Sequence, residues 1–220
     1  MSTGLSERAR AYAALGDPAR LAIADLLASG DLSSGELSAR LGIASNLLAH
    51  HLRVLERAGL VLRRRSEGDA RRSYLQRTAA CHRLLGGGAV ARPSRVAFVC
   101  SGNSARSQLA AVYWRSVSGI PAVSAGTRPA GRVHPRAIAV AARRGLDLAD
   151  ARPRPVDAVL TGEELLVAVC DRAYEELPGQ PLHWSVADPA AAGDPAFEAA
   201  FDDLAGRIDR LVDGIGRAPG

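Results

Sequence analysis

A run of three glycines at positions 86–88 most strongly limits how this 220-residue chain can fold. The glycines close a helical stretch, and the following segment reaches Pro93 before a new apolar run begins at Arg95. Glycine-rich segments have high backbone entropy and commonly cross domain boundaries. A chain of this length suits two domains of about 100 residues each. We therefore predict a first domain over residues 1–86, a linker over 87–94 and a second domain over 95–220.

Charge is divided unequally between the two parts of the chain. All 28 basic residues are arginine; residues 1–92 hold 14 of them against 8 acidic residues, and residues 93–220 hold 14 against 15. The net charge is therefore +6 in the first part and −1 in the second. A basic domain joined to a nearly neutral one predicts a polyanionic partner for the first.

Composition excludes several classes of protein. Apolar residues make up 47% of the chain, which is enough for ordinary cores and too many for a disordered protein. The sequence lacks the roughly 18 consecutive apolar residues of a membrane span. It also lacks a signal-peptide pattern, so we expect no membrane partner. Three cysteines at unrelated spacings do not suit a disulfide scaffold and indicate a reducing, cytoplasmic location.

Helix start signals organise the first domain. Asp17 before a proline is typical of an N-cap, and Ser33 followed by Glu36 forms a capping box. Leucines three and four residues apart predict the buried stripe of a later helix, which Gly59 ends. The predicted helices cover residues 5–15, 18–27, 34–41, 44–58 and 78–85.

A basic hairpin completes the pattern of the first domain. Strands over 60–65 and 72–75 flank a Glu-Gly-Asp turn at 67–69. Helix, short turn, helix and hairpin in this order predict a mainly α winged helix-turn-helix domain that binds double-stranded DNA. The candidate DNA-binding residues are Ser45, Asn46, Ala49, His50 and Arg53 on the fourth helix, and Arg64, Arg65, Arg71 and Arg72 on the hairpin. The alternative is a basic, solvated helical domain that binds protein.

The first domain resembles the ArsR/SmtB family of dimeric metalloregulators. The resemblance rests on Ala-Leu-Gly-Asp-Pro-Ala-Arg-Leu at 14–21 and His-His-Leu-Arg-Val-Leu-Glu-Arg-Ala-Gly-Leu-Val at 50–61. It implies a homodimer formed through the first and last helices, an operator, and derepression by a soft metal or metalloid.

The third helix lacks the cysteine pair common in arsenite and cadmium sensors. Cys81 and His82 are candidate ligands, but one thiol and one imidazole do not complete a metal site, so none is assigned. Either Cys81 is a half-buried cysteine of the dimer helix, or a site is shared across the dimer.

Strand and helix patterns alternate in the second domain. Continuous apolar runs predict parallel strands over residues 96–99, 122–124, 165–169 and 182–184. Helices are predicted over 107–118, 135–144 and 195–212. This alternation predicts a flavodoxin-like α/β domain with helices on both faces of an open parallel sheet.

The loop after the first of these strands contains a Cys-x5-Arg pattern. We expect it to fold around a tetrahedral oxyanion such as arsenate or phosphate, with backbone N–H groups and a helix N-terminus pointing inward. Gly102 would supply an unusual backbone conformation and Asn103 an internal brace. Arg106 would bind the anion through two hydrogen bonds, and the positive surroundings would stabilise a Cys100 thiolate that receives a hydrogen bond from Ser107. The candidate oxyanion-binding residues are Ser101, Gly102, Asn103, Ser104, Ala105, Arg106 and Ser107.

Two further groups are predicted at the same edge of the sheet. Cys170 follows the third strand and Asp188 the fourth, and the active edge of an open parallel sheet lies at the carboxyl ends of its strands. If the strand order is 2-1-3-4, the strands that end at Cys100 and Cys170 are neighbours. The alternatives are an inert cysteine at a strand end and an Asp-Pro turn.

Residues 95–215 resemble the low-molecular-weight tyrosine phosphatase superfamily and, within it, the arsenate reductases. The resemblance rests on the Cys100 loop, Ser-Ala-Gly-Thr at 124–127 and His-Trp-Ser-Val-Ala-Asp-Pro at 183–189. It implies that Cys100 is the nucleophile, that Arg106 and the loop amides hold the oxyanion, and that Asp188 is the general acid. The Asp-Pro-Ala-Ala-Ala run at 188–192 lacks the aromatic residues that stack on phosphotyrosine, which favours a small inorganic anion.

The resemblance leaves the reductant open. Thioredoxin-coupled members have a second cysteine seven residues beyond the position of Cys170, where this chain has Leu177. The segment looks more like reductases that use an external thiol such as mycothiol with mycoredoxin, and no bound cofactor is expected. Cys170 either resolves the adduct as a disulfide or is a spectator. The main hypothesis is an arsenic-responsive regulator fused to an arsenate reductase. The alternatives are a regulator whose second domain senses an oxyanion or metalloid without turnover, and a protein-tyrosine phosphatase.

Overall fold

The computed structural model describes residues 2–215, which form two compact units. The first unit contains the described residues through Ser66 together with residues 70–88. The second contains residues 67–69 and the described residues from Ala89 onward. Within the second unit, Val90 pairs with Ile215 and its N–H donates to the Gly214 carbonyl at 3.0 Å.

Capped helices build the first unit. The Asp17 side chain accepts a hydrogen bond from the Arg20 N–H at 3.0 Å, as predicted for an N-cap. Ser33 and Glu36 form the predicted capping box, and Gly42 ends that helix with a φ of 64°. The helices are α1 (Ser2–Leu15), α2 (Pro18–Leu26), α3 (Ser34–Leu41), α4 (Ser45–Arg57) and α5 (Ala79–Leu85).

A small antiparallel sheet completes the first unit. Its strands are β1 (Leu32–Ser33), β2 (Val61–Arg65) and β3 (Ser73–Arg77), in the order β1-β3-β2. The hairpin of β2 and β3 was predicted from the sequence, whereas the two-residue strand β1 was not. Leu48, Leu52 and Leu55 of α4 are buried in the core, as their spacing indicated.

The second unit is built on a four-stranded parallel sheet. Its strands are β4 (Val96–Cys100), β5 (Ala122–Gly126), β6 (Leu165–Ala168) and β7 (Leu182–His183), in the order β5-β4-β6-β7. All five residues of β4 are buried, because this strand has neighbours on both sides. This is the order 2-1-3-4, the condition under which the strands that end at Cys100 and lead into Cys170 are adjacent.

Helices pack around this parallel sheet. They are α6 (Arg106–Val117), α7 (Pro135–Arg143), α8 (Asp171–Glu176) and α9 (Asp194–Gly214), with short 3-10 helices at Val156–Ala158 and Pro189–Ala191. The sequence did not indicate α8 or the 3-10 helices. Phe98 lies between Trp114 and Trp184, with ring centroids 5.8 and 5.9 Å away, and these large rings fill the core. Over the part of the chain that the structure describes, no helix combines the length and apolar character needed to cross a bilayer.

Candidate active site and nucleic-acid interface

Cys100 lies at the carboxyl end of β4, where the chain turns into the loop that precedes α6. Its Sγ is 3.0 Å from the Ser107 hydroxyl oxygen. Asn103 donates its Nδ2 proton to that same oxygen at 2.8 Å. Because Ser107 Oγ accepts from Asn103, its own proton is available for Cys100 Sγ, the direction that stabilises a thiolate.

Asn103 holds the loop in its curved shape. It has a φ of 46°, and no other non-glycine residue in the described range 2–215 has a positive φ. Its side-chain oxygen accepts hydrogen bonds from Arg154 N at 2.9 Å and Gln108 Nε2 at 3.1 Å. These bonds offset a backbone conformation that is costly for a residue with a Cβ. The expectation that Gly102 takes the unusual conformation was therefore wrong, because the left-handed residue is the one whose side chain braces the loop.

The loop turns its carbonyl groups outward, toward the segment after β5. The carbonyls of Ser101, Gly102 and Ser104 accept hydrogen bonds from the N–H groups of residues 128, 130 and 134, each at 2.8 Å. Within residues 2–215, the structure gives the amides of positions 102–105 no hydrogen-bond acceptor. Outward carbonyls and amides without an acceptor are the backbone arrangement of a nest, which is typical of anion sites. The N-terminus of α6 adds its partial positive charge to the same side.

Gly126 allows β5 to end against this loop. A Cβ at this position would lie 2.7 Å from the Ser101 carbonyl oxygen and 2.9 Å from the Asn103 Cβ. No side chain fits there without displacing the loop backbone. Sequence reasoning used this glycine only as part of a resemblance and did not find its role, because the close approach is made by a strand distant in sequence.

Arg106 is buried at the start of α6 and points to the segment that carries Asp188. Its Nη1 donates to the Val186 carbonyl at 2.8 Å, and its Nη2 lies 2.9 Å from Asp188 Oδ2. Burial opposes the guanidinium charge, but the neighbouring Cys170, Cys100 and Asp188 outweigh it and raise the pKa of Arg106. Asp188 is half exposed and also caps the 3-10 helix through Ala190 N at 3.0 Å. The structure thus brings these two predicted residues together.

Cys170 is held against the same loop. Its Sγ accepts hydrogen bonds from Ser101 N at 3.3 Å and from Ala173 N at 3.4 Å. Burial raises the pKa of the Cys170 thiol to about 12, and the nearby Cys100 acts in the same direction. The Ser101 amide is therefore directed to Cys170 rather than toward the concave side of the loop.

Two buried side chains near Cys170, Asp171 and His183, and the partly buried Tyr174 were not singled out from the sequence. His183 Nε2 lies 2.9 Å from Asp171 Oδ1, and the Tyr174 ring stacks on the His183 imidazole with centroids 4.1 Å apart. The pairing joins positions 12 residues apart, and neither local spacing nor composition indicates it.

All five residues predicted to read DNA on α4 are exposed, opposite its buried leucines. Asn46 Oδ1 accepts from Leu47 N at 2.9 Å, and Arg53 Nε donates to the Ala49 carbonyl at 3.2 Å. Two exposed residues were not included in the prediction: Leu47, and Arg57 at helical spacing from Arg53. Helical periodicity could have found Arg57. The exposed face of α4 consists of Ser45, Asn46, Leu47, Ala49, His50, Arg53 and Arg57.

The four predicted hairpin arginines at positions 64, 65, 71 and 72 are also exposed. Arg65 Nε donates to the Ala70 carbonyl at 2.6 Å, which braces the hairpin from within.

Cys81 and His82 do not form a metal site with other described residues. Cys81 is fully buried in the core of the first unit rather than half-buried, and burial raises the pKa of its thiol. Across residues 2–215, no three His, Cys, Asp or Glu side chains are grouped so that they could hold a metal ion.

Comparison with known families matches both parts of the chain. The family profile described as low molecular weight phosphotyrosine protein phosphatase matches residues 95–218, and a helix-turn-helix domain profile matches residues 15–64. The arsenate reductase of Brevibacillus brevis is 31% identical over 124 residues, which cover 53% of this chain and 92% of that relative. An arsenate reductase of Bacillus anthracis is 32% identical over 122 residues, covering 52% and 90%.

A crystal structure of arsenate reductase from Archaeoglobus fulgidus is 30% identical to the matched part. The match covers 54% of this chain and 98% of that one, with a TM-score of 0.48. The phosphatase profile spans more than half of the chain and the parallel α/β fold agrees with it. The protein therefore belongs to the low molecular weight phosphotyrosine protein phosphatase family and carries a helix-turn-helix domain ahead of its phosphatase-like domain.

Proposed function

We propose that this chain is an arsenic-responsive transcriptional regulator fused to an arsenate reductase. The observation that carries the reductase proposal is the Cys100 loop, in which a hydrogen-bonded thiol faces open amides beside Arg106 and Asp188. The relatives over this part of the chain are named arsenate reductases. We keep the division into residues 1–86, a linker at 87–94 and residues 95–220, and we place the activity in the cytoplasm, where thiol donors are available.

The first step forms a bond between sulfur and arsenic. The Cys100 thiolate attacks the arsenic of an arsenate held by the loop amides and Arg106. One oxygen leaves as water after Asp188 protonates it. The arriving oxyanion competes with Asp188 for Arg106 Nη2, while Nη1 stays fixed on the Val186 carbonyl. This exchange frees the Asp188 carboxylate from the guanidinium, so that it can take up a proton from solvent and deliver it to the leaving oxygen.

The second step uses an external thiol. Its thiolate attacks Cys100 Sγ, an S–S bond forms and the S–As bond breaks. The electron pair stays on arsenic, which is reduced from As(V) to As(III) and leaves as arsenite. A second thiol then reduces the mixed disulfide and restores Cys100. The high pKa of Cys170 and the leucine at position 177 support an external donor, either mycothiol with mycoredoxin or thioredoxin, over an internal relay.

The first unit would bind operator DNA as a homodimer. The exposed face of α4 would enter the major groove, and the hairpin arginines would contact phosphates. Leu5 and Tyr12 are 70% and 54% exposed on α1, which supports a role for that helix in the dimer. Arsenite made by the same chain would then be available to the regulator.

A second candidate is an oxyanion sensor without turnover. The pairing of Arg106 with Asp188 favours it, because an oxyanion that displaces Asp188 changes the surface of the second unit without any chemistry. A sensor, however, has no need of a general acid.

The test is arsenite production from arsenate by the purified chain. Thioredoxin, glutaredoxin–glutathione and mycothiol–mycoredoxin systems are supplied in parallel, and Cys100→Ser is the control. Turnover with one donor that is lost in Cys100→Ser supports the reductase. No turnover with any donor, from a protein that still binds DNA, favours the sensor. Hydrolysis of p-nitrophenyl phosphate and of a phosphopeptide would instead indicate a tyrosine phosphatase.

A further inference from the structure

A buried hydrogen-bonded pair of side chains, Asp171 and His183, lies beside the oxyanion loop and takes no part in the chemistry proposed above. The side chains of His183 and Asp171 are 1% and 2% exposed, with the Nε2–Oδ1 distance at 2.9 Å. The Tyr174 ring covers the imidazole at an interplanar angle of 10°. Burying a carboxylate is costly unless it is paired and hydrogen-bonded, and His183 supplies that partner for Asp171.

The protonation of the pair follows from its surroundings. Burial disfavours the Asp171 charge, but hydrogen bonds from His183 and Ser185 prevail and lower the pKa of Asp171. An ionised carboxylate can only accept hydrogen bonds, so His183 Nε2 carries a proton and donates it. The contact is thus a directional bond to a charged group, which is stronger than a bond between neutral groups.

The pair joins the two chain segments that hold the oxyanion loop. Asp171 directly follows Cys170, whose Sγ receives the Ser101 amide. His183 ends β7 and begins the segment that leads to Val186. In that segment Trp184 N donates to Ala168 O and Val186 N to Trp184 O, both at 2.8 Å.

The Val186 carbonyl in turn receives Arg106 Nη1 at 2.8 Å. Asp171 is therefore linked to the guanidinium that would hold the substrate by its hydrogen bond to His183, by the backbone from 183 to 186 and by the Val186 carbonyl. Residues that hold a ligand-binding side chain within about 0.5 Å of its productive geometry can strongly change the affinity of the site for its ligand.

We propose that Asp171 and His183 are positioning residues whose hydrogen bond holds the Val186 carbonyl against Arg106 and so sets the oxyanion affinity of the Cys100 loop. The inference rests on the proposed oxyanion function, and the pair itself touches no reacting atom. Without the bond, the segment from 183 to 186 keeps its backbone bond to Ala168 but loses its side-chain anchor, so the Val186 carbonyl is held less firmly and Arg106 samples other orientations. Binding of the oxyanion weakens, while the chemistry of a bound arsenate changes little.

The test measures the dissociation constant of inorganic phosphate by calorimetry, together with KM and kcat for arsenate. His183→Gln places an N–H donor near the Nε2 position, whereas His183→Leu and His183→Asn do not. Leu211→Ala is the matched control, because Leu211 is a buried core residue of α9 whose truncation lowers stability away from Asp171 and His183.

We expect His183→Leu and His183→Asn to weaken phosphate binding and raise the arsenate KM by about tenfold, the effect of one lost charge-assisted bond. The kcat should stay within about threefold, and His183→Gln should retain near wild-type affinity. Unchanged phosphate affinity in His183→Asn, with a loss of thermal stability like that of Leu211→Ala, would overturn the proposal. If His183→Leu does not fold, the difference in phosphate affinity between His183→Asn and His183→Gln still tests the proposal. A wild-type chain that binds phosphate but never reduces arsenate refutes the reductase and leaves this test intact.

Discussion

The exposed face of α4 and the Cys100 loop are both candidate binding surfaces, but they are constructed in opposite ways. On α4, the side chains that would meet DNA point into solvent, and the helix is held by leucines on its other side. In the loop, the functional groups are themselves buried and hydrogen-bonded, as with Asn103 to Ser107 and Arg106 to Val186.

The difference has consequences for mutation. A change on the exposed face of α4 removes one contact with a partner and leaves the fold intact, because surface substitutions rarely alter stability. A change in the loop disturbs a network in which each bond supports the others, so stability and function fall together.

The largest expected effect is the difference in arsenate reduction between variants of the two cysteines of the second unit. Cys100→Ser removes the nucleophile and should lower arsenate reduction by at least about a thousandfold. Cys170→Ser should retain activity within about tenfold, because the external thiol attacks Cys100 directly. The measurement is steady-state arsenite formation with the best donor. Equal losses in the two variants would instead make Cys170 a resolving thiol.

Gly126 should tolerate no side chain. Gly126→Ala forces a Cβ to within 2.7 Å of the Ser101 carbonyl oxygen. Overpacking of this kind costs about 1–3 kcal/mol and should also weaken phosphate binding. Gly131→Ala is the matched control, since a Cβ there meets nothing within 4 Å. Chemical denaturation and calorimetry measure both effects; a Gly126→Ala protein as stable as wild type would show that the loop is less constrained than we describe.

Replacing Arg53 should lower the affinity for DNA without changing the stability of the chain. Arg53→Ala should weaken binding to a selected duplex by about tenfold if the arginine contacts a base edge or phosphate. The thermal stability of the chain should not change, because Arg53 is exposed. Fluorescence anisotropy measures the affinity, with Arg143→Ala in the second unit as control. A large loss of stability in Arg53→Ala would contradict the contrast between the two surfaces.

The raised pKa of Cys170 should produce a small dependence of stability on alkaline pH. A thiol whose pKa rises from 9.0 to about 12 on folding stabilises the folded state fully below pH 9. That contribution is lost progressively as the pH rises from 9 toward 12, because the unfolded thiol ionises first. Urea unfolding of wild type and Cys170→Ser from pH 8 to 10.5 tests this. A constant difference in unfolding free energy between the two proteins would contradict it.

Features that depend on residues close together in sequence could be predicted from the sequence. The caps at Asp17 and Ser33 and the Cys-x5-Arg loop could be predicted because each has a short signature. The two-residue strand β1 was missed because it exists only through its pairing with β3, about 40 residues away.

The parts of the site that could not be predicted also depend on contacts between distant segments. The role of Gly126 and the pairing of Asp171 with His183 depend on approaches between segments far apart in sequence. Gly102 was expected to supply the unusual backbone conformation of the loop because glycine is the default residue for such conformations. Asn103 takes it instead, since its side chain supplies the bonds that compensate for the strain.

The proposal that one chain both regulates and reduces is tested by measuring DNA binding and arsenate reduction in one sample. A duplex selected by the purified chain from a random-sequence library is bound to wild type and to Cys100→Ser, and arsenate and the thiol donor are then added. We expect that both proteins bind the duplex equally before arsenate is added and that only wild type releases arsenite. Equal arsenite formation by the two proteins, or arsenite formation by a chain that selects no DNA, would contradict it.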